Sequence, residues 1–218
     1  MTDPVIYVID DDDAARESLE FLLASSQLRV NSFNSATAFL ASLPPSPSGC
    51  IITDVRMPEV SGIDLLKRLV EREIKIPVIV IAGDGDVPLA VEAMKLGAVD
   101  FFEKPFDGDA VVAAVRKALN GWQRDVDREA ARVAVQRRIA GLSPRERDVL
   151  AGLMNGHTHK TIAHGLGISP RTVDIYRANL MTKTNAGSLS ELVRIVLVAG
   201  TPIDLPASLI NPTIRSRS

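Results

Sequence analysis

The chain has 218 residues, 46% of them hydrophobic, enough for two modest domains with packed cores. No apolar run reaches the ~20 residues of a membrane span. A single cysteine, Cys50, excludes an internal disulfide, and no signal sequence precedes the first apolar segment, so a cytoplasmic chain without membrane attachment is expected. The net charge of −2 conceals a division: residues 1–120 hold 11 Lys and Arg against 19 Asp and Glu, a net of −8, whereas residues 121–218 hold 14 against 8, a net of +6. Such asymmetry suits an acidic module joined to one that meets a polyanion.

Residues 1–120 alternate strand and helix as repeated βα units do. Val5–Ile9 is a strand running into Asp10-Asp11-Asp12-Asp13, and Ala14–Ser25 spaces Leu19, Phe21, Leu22 and Leu23 as an amphipathic helix would. A strand near Arg29–Phe33, a helix around Ser35–Leu43 and a Pro/Ser/Gly loop over 44–49 follow. Cys50–Thr53 is a strand ending on Asp54, with Cys50 as core filler rather than a reactive thiol. A helix at Gly62–Arg72 precedes an apolar strand at Val78–Ile81. Pro88 suits the first turn of a helix reaching Leu96, with Gly97 as its stop. The strand Ala98–Phe102 leads to Glu103-Lys104-Pro105, and a helix at Asp109–Leu119 completes five units. Short, uninterrupted aliphatic strands predict a five-stranded parallel sheet covered on both faces, a doubly wound α/β domain.

In an open α/β sheet, ligands sit outside the carboxyl ends of the strands. Asp10, Asp11, Asp54 and Lys104 should therefore converge at one sheet edge. Carboxylates that close repel unless a cation joins them, and hard oxygen donors beside a phosphate suit Mg²⁺. Asp54 can then attack a phosphoryl group directly, without a general base, while the metal and Lys104 offset the charge that builds. Acidic loops are usually only solvated, but here each charge ends a buried strand.

Asp10-Asp11, Asp54, Met57-Pro58, Gly62 and Lys104-Pro105 carry a resemblance to the response-regulator receiver domains of two-component systems, which spans residues 1–120. The resemblance implies a flavodoxin-like fold with Asp54 as phosphoacceptor for a sensor histidine kinase. It also implies Mg²⁺ held by Asp11, Asp54 and the backbone carbonyl of Arg56, with Asp10 helping through water, and a cis Lys104-Pro105 peptide. No enzymatic activity is implied beyond self-phosphotransfer and autodephosphorylation at Asp54. One departure matters: Ala82 stands where the family usually has Thr or Ser, whose hydroxyl bonds the new phosphoryl oxygen. Lys104 is left as the main contact, with Phe101 in the position of the switch aromatic. Phosphorylation should then shift the active population less than a hydroxyl would permit.

Residues 121–141 are rich in Gln, Arg, Asp, Glu and Ala, with Trp122, Val126, Ala130 and Val133 at helical spacing. They are expected to form a helical linker, with a stripe that could self-associate. From Leu142 to Gly200 the pattern is wholly helical. Ser143-Pro144-Arg145-Glu146 predicts a capping box opening a helix that Gly156 ends. A short helix around His159–Gly165, a turn at Gly167-Ile168-Ser169 and a helix from Ser169-Pro170 to about Thr184 make a helix–turn–helix. Ser188-Leu189-Ser190-Glu191 predicts a second capping box, opening a helix to Gly200 that is apolar almost all round. Residues 201–218, with three prolines, are expected to be a disordered tail. His157, His159 and His164 lack the spacing and cysteines of a zinc site and should lie on helix surfaces.

At about 100° per residue, Val173 and Leu180 point inward with Tyr176 and Arg177 at the margins. Arg171, Asp174, Ile175, Ala178 and Thr182 point outward. A merely solvated face would be crowded with Lys and Glu. Small and apolar residues instead suit thymine methyls, and Asp174 a cytosine amino group. Lys160, Thr172, Arg177, Asn179 and Lys183 flank this face, placed for phosphates.

Leu142-Ser143-Pro144-Arg145-Glu146-Arg147, Ile168-Ser169-Pro170-Arg171-Thr172-Val173 and Leu192-Val193-Arg194 resemble the LuxR-type DNA-binding domain of the FixJ/NarL family. Ile81 to Pro88, Val91 to Lys95 and Tyr176 to Asn179 are similar to one branch, the FixJ regulators of nitrogen-fixation genes. The resemblance implies a transcriptional activator of nitrogen-fixation or oxygen-responsive genes, whose kinase is a haem oxygen sensor. Phosphorylation would make a homodimer through Pro88–Leu96 and Ala98–Phe102. It would also free the second domain to bind double-stranded promoter DNA and act with RNA polymerase. Asp174 stands where glutamate is frequent and His159 where asparagine is, so the family's operator is not assumed. Three other readings compete: a phosphohydrolase using Asp10 with Asp12, a ligand-sensing regulator with an apolar pocket, and a constitutive regulator that dimerises without phosphate. Ala82 gives the last some weight.

Overall fold

Five strands form one parallel sheet in the computed structural model, which describes residues 3–45, 47–83 and 87–210. The strands are β1 (Val5–Ile9), β2 (Arg29–Phe33), β3 (Gly49–Asp54), β4 (Val78–Ala82) and β5 (Asp100–Glu103), in the order β2-β1-β3-β4-β5. Between them run α1 (Asp13–Ser25), α2 (Ala36–Ser42), α3 (Gly62–Glu71) and α4 (Val87–Lys95). Alternate strand residues serve two cores. Tyr7, Ile9, Ile51, Val78, Val80 and Ala82 join one with residues of α2 and α3, while Ile6, Val8, Ile52, Ile79 and Ile81 join the other with α1 and the start of α5 (Gly108–Ala140). Burial on both faces is why the strands are aliphatic without alternation. Cys50 is fully buried in the second core, and burial pushes its thiol up to about 12, which leaves it inert. Gly49 is required: a Cβ there would lie 1.8 Å from the Val5 carbonyl oxygen.

The chain divides into two units, Met1–Asp125 and Val126–Ser218. The expected break between a last receiver helix and a separate linker does not occur, because α5 is one helix of 33 residues. Gly121 in its interior costs only about 1 kcal/mol, and no proline or cap intervenes to end it. Val111, Ala114, Val115 and Ala118 pack under the sheet, whereas Val135 and Ile139 pack in the second unit. The stripe through Val126 and Ala130 is exposed. Among the described residues, no helix is long and apolar enough to cross a membrane.

The second unit is helical: α6 (Pro144–Met154), α7 (His159–Leu166), α8 (Pro170–Thr184), α9 (Leu189–Ala199) and α10 (Ala207–Ile210). The box at Ser143 is complete, with Glu146 N donating to Ser143 Oγ and Ser143 N to Glu146 Oε2. The second box is only half formed. Ser188 Oγ accepts from Glu191 N, but Glu191 Oε2 accepts from Gly187 N, one residue further back. Gly167 ends α7 in the left-handed region, at φ 65°, so α8 can turn away at once.

The tail is the clearest correction. Residues 201–210 pack on the unit: Ile203 joins the cluster of Ile139 and Leu142, while Leu205 and Leu209 join that of Val149, Leu153, Ile162 and Leu166. Three apolar side chains among the prolines anchor a strap that average composition conceals. Residues 211–218 lie outside the described residues.

Candidate functional site

The carboxyl ends of adjacent strands β1 and β3 bring Asp10 and Asp54 together, since the pairing runs Val5↔Gly49 to Ile9↔Thr53. This is where the strand order reverses, the place such sheets use for ligands. Lys104 follows β5, its backbone N–H donating to the Ala82 carbonyl at 2.8 Å, and the Lys104-Pro105 peptide is cis. Its ammonium donates to Asp54 Oδ1 at 2.6 Å and to Asp10 Oδ2 at 2.9 Å. Both carboxylates are buried, at 8% and 2% exposure, where unpaired charge would be costly. Their other oxygens accept backbone N–H groups, Asp54 Oδ2 from Arg56 at 2.6 Å and Asp10 Oδ1 from Asp12 at 2.9 Å. Gly62 lets the start of α3 approach this strand end, because a Cβ there would lie 2.2 Å from the Asp54 carbonyl oxygen.

Burial raises the pKa of Asp54 above the usual aspartate value, against the opposing pull of Lys104. For Lys104, burial acts downward, but its bonds to Asp54 and Asp10 outweigh it and the ammonium is held more firmly than usual. The lysine is therefore a fixed positive charge beside a carboxylate poorly solvated by water.

Asp11 is exposed and lines an adjoining cleft of about 650 Å³ with Arg56, Met57, Pro58, Asp64 and Lys67, among others. The three-carboxylate group expected from the sequence is not assembled: among the described residues, no three His, Cys, Asp or Glu side chains are grouped to hold a metal. Lys104 instead satisfies Asp10 and Asp54 together. Hard oxygens nonetheless dominate the donor set, the chemistry that Mg²⁺ takes. Ala82 is fully buried and Phe101 half-buried against the same core. Asp12 caps α1, accepting from Ala14 and Ala15 N–H groups, and these bonds hold its carboxyl below the usual range.

In the second unit, Val173 and Leu180 are buried, and Arg171, Asp174, Ile175, Ala178, Asn179 and Thr182 are exposed on α8. Ile175 is 55% exposed, a large apolar side chain left facing outward. Thr172 and Arg177 are half-buried, Tyr176 packs toward Val149, and Lys160 is exposed at the start of α7. Lys183 is committed elsewhere in part: its ammonium donates to Glu146 Oε2 at 2.7 Å, joining α8 to the capping box of α6. Sequence reasoning also missed that His159 Nδ1 lies 2.8 Å from Asp174 Oδ1. The histidines form no metal cluster among the described residues.

Family models match both units: the response regulator receiver domain over residues 6–116, and the bacterial regulatory proteins of the luxR family over residues 140–196. The transcriptional regulatory protein FixJ of Azorhizobium caulinodans is 59% identical over 95% of this chain and 97% of its own length. The full-length FixJ structure from B. japonicum is 51% identical, covering 92% of this chain and 98% of that one, with a TM-score of 0.58. The response regulator StyR superposes with a TM-score of 0.81 at 38% identity, over 90% of this chain and 99% of that one.

Proposed function

The chain belongs to the two-component response regulators that join a receiver to a LuxR-type DNA-binding domain, FixJ-like transcription factors, and from that premise we propose that phosphorylation of Asp54 governs its binding to promoter DNA. The observation that carries this reading is the Lys104 ammonium held between Asp10 and Asp54. A carboxylate oxygen of Asp54 attacks the phosphorus of a phosphohistidine on a sensor kinase. The bond from phosphorus to the imidazole nitrogen breaks, the imidazole leaves, and an acyl phosphate forms on Asp54. Lys104 neutralises charge on the transferring group, and the buried setting strengthens that interaction. Asp11, Asp54 and the Arg56 carbonyl would hold Mg²⁺, with Asp10 acting through water, and the ion would offset further phosphoryl charge. Nothing else is turned over: chemistry is confined to transfer onto Asp54 and its later hydrolysis.

Exposed Val91, Met94 and Val99 on and beside α4 supply an apolar face for a phosphorylation-driven homodimer. Leu197 and Val198 on α9, 69% and 59% exposed, supply a second on DNA, where a two-fold dimer reads two half-sites. The targets in this reading are nitrogen-fixation or oxygen-responsive promoters, activated with RNA polymerase in the cytoplasm, and the kinase is a haem oxygen sensor. Support for these is likeness to the FixJ proteins. A second reading, dimerisation without phosphate, is favoured by one feature, the missing hydroxyl at Ala82. The test is to treat wild type and Asp54→Asn with acetyl phosphate and Mg²⁺ and to measure oligomer size and the DNA footprint together. Phosphate-dependent change in wild type alone supports control through Asp54; equal behaviour of both proteins supports the constitutive reading.

A further inference from the structure

The contact between α7 and α8 assigns a role to a histidine that the face analysis passed over. His159 is the first residue of α7, after the cap Thr158, and Asp174 lies in the second turn of α8. Asp174 is the sole acid on an outward face otherwise made by Arg171, Ile175, Ala178 and Thr182. Its side chain is 61% exposed, so no packing fixes its rotamer, and phosphates nearby would repel it. His159 Nδ1, 2.8 Å from Oδ1, is the contact that holds it. A carboxylate is an acceptor only. With Oδ1 set against the imidazole at 2.8 Å, Oδ2 remains to accept from outside. In a major groove the groups that satisfy it are exocyclic amines, and cytosine N4 is the usual partner of an acidic side chain.

We propose that His159 is a positioning residue for base selection, holding Asp174 so that the pair prefers cytosine at one position of each half-site. This rests on the DNA-binding reading above. The pair is a matched unit: the carboxylate supplies the selectivity, and the imidazole fixes its direction. His159 at 35% exposure is far enough into the surface to order its neighbour yet contributes no selectivity alone.

The experiment selects duplexes from a pool with a randomised half-site, using full-length protein treated with acetyl phosphate and sequencing the bound fraction. Wild type should enrich cytosine at one position. Asp174→Ala should cut that preference about tenfold, the scale of one good base contact. His159→Ala should cut it several-fold at that position only, and should change nothing further in an Asp174→Ala background. His159→Asn, which keeps an N–H donor, should restore part of the preference. Uniform weakening across all sequences by His159→Ala, with the cytosine preference intact, would overturn the proposal and make His159 a phosphate contact. An unchanged preference in Asp174→Ala would overturn it too. Failure of wild type to enrich any sequence would instead sink the DNA-binding reading itself.

Discussion

Replacing Leu209 by alanine removes the anchor of the strap that crosses the second unit. The side chain is 3% exposed and packs against Ile162 and Leu166 from α7 and Val149 from α6. A buried Leu→Ala change costs about 2–5 kcal/mol when a cavity is left behind. Here the upper end is not reached, because α10 has four residues and can lift away rather than enclose a hole. The loss is then capped near the burial free energy of one leucine, about 1.5–3 kcal/mol. For a domain of this size, about 2 kcal/mol lowers the melting temperature by roughly 8–16 °C. Gly165→Ala should act on the same element, since its Cβ would lie 2.5 Å from Leu209 Cδ2 and 2.8 Å from the Ser208 carbonyl oxygen. Once the strap is displaced by either change, the other has little left to break, and alanine then even favours the helix. The double variant should fall short of the summed costs by about 1 kcal/mol or more. Calorimetry of the full chain, following the second unit's transition, reads this directly. Additive costs, or a Leu209→Ala shift below about 2 °C, would refute the strap as a folded part of the unit.

Ala82→Thr returns a hydroxyl to the end of β4, and one hydrogen bond to a charged group contributes about 1.5–3 kcal/mol, so phosphate-dependent dimerisation should tighten tenfold or more by sedimentation; no change contradicts the role given to Ala82. Gly62→Ala forces the Asp54 backbone or the start of α3 to move, and a displacement near 1 Å can cost about a hundredfold in a positioned reaction; phosphorylation of Asp54 at a wild-type rate would refute the close-approach argument. Glu146 is held below the usual glutamate range by the Lys183 ammonium and by the Ser143 N–H and hydroxyl. Its contribution is thus present above the ordinary glutamate pKa and lost as pH falls through the depressed value. The stability gap between wild type and Glu146→Gln should be widest near neutral pH and close on acidification; a gap independent of pH would contradict the pairing.

Strand ends were the most legible part of the sequence, because an aliphatic run that stops on a charge leaves little freedom in a parallel sheet. Asp10, Asp54 and Lys104 meet as their positions required. Asp11 lies exposed along the adjoining cleft, a placement that local chain rotation sets and spacing does not. The inward and outward faces of α8 followed from helical periodicity, and Ile175 is exposed as that argument demands. Contacts between helices were not legible: Lys183 with Glu146 and His159 with Asp174 join residues far apart in sequence, and periodicity carries no information across elements. The unbroken α5 and the strap at 201–210 were missed for a related reason. Composition suggested a boundary in each, whereas one glycine is a weak breaker, and buried Leu209 with half-buried Ile203 and Leu205 outweighs two prolines.

The most direct measurement is the intact mass of the full chain after incubation with acetyl phosphate and Mg²⁺, with the modified residue located by peptide mapping. The account predicts a single adduct of roughly 80 Da, as a phosphoryl group adds, on Asp54 and absent from Asp54→Asn. An unmodified chain, or an adduct on Asp10, Asp11 or any other residue, would contradict it.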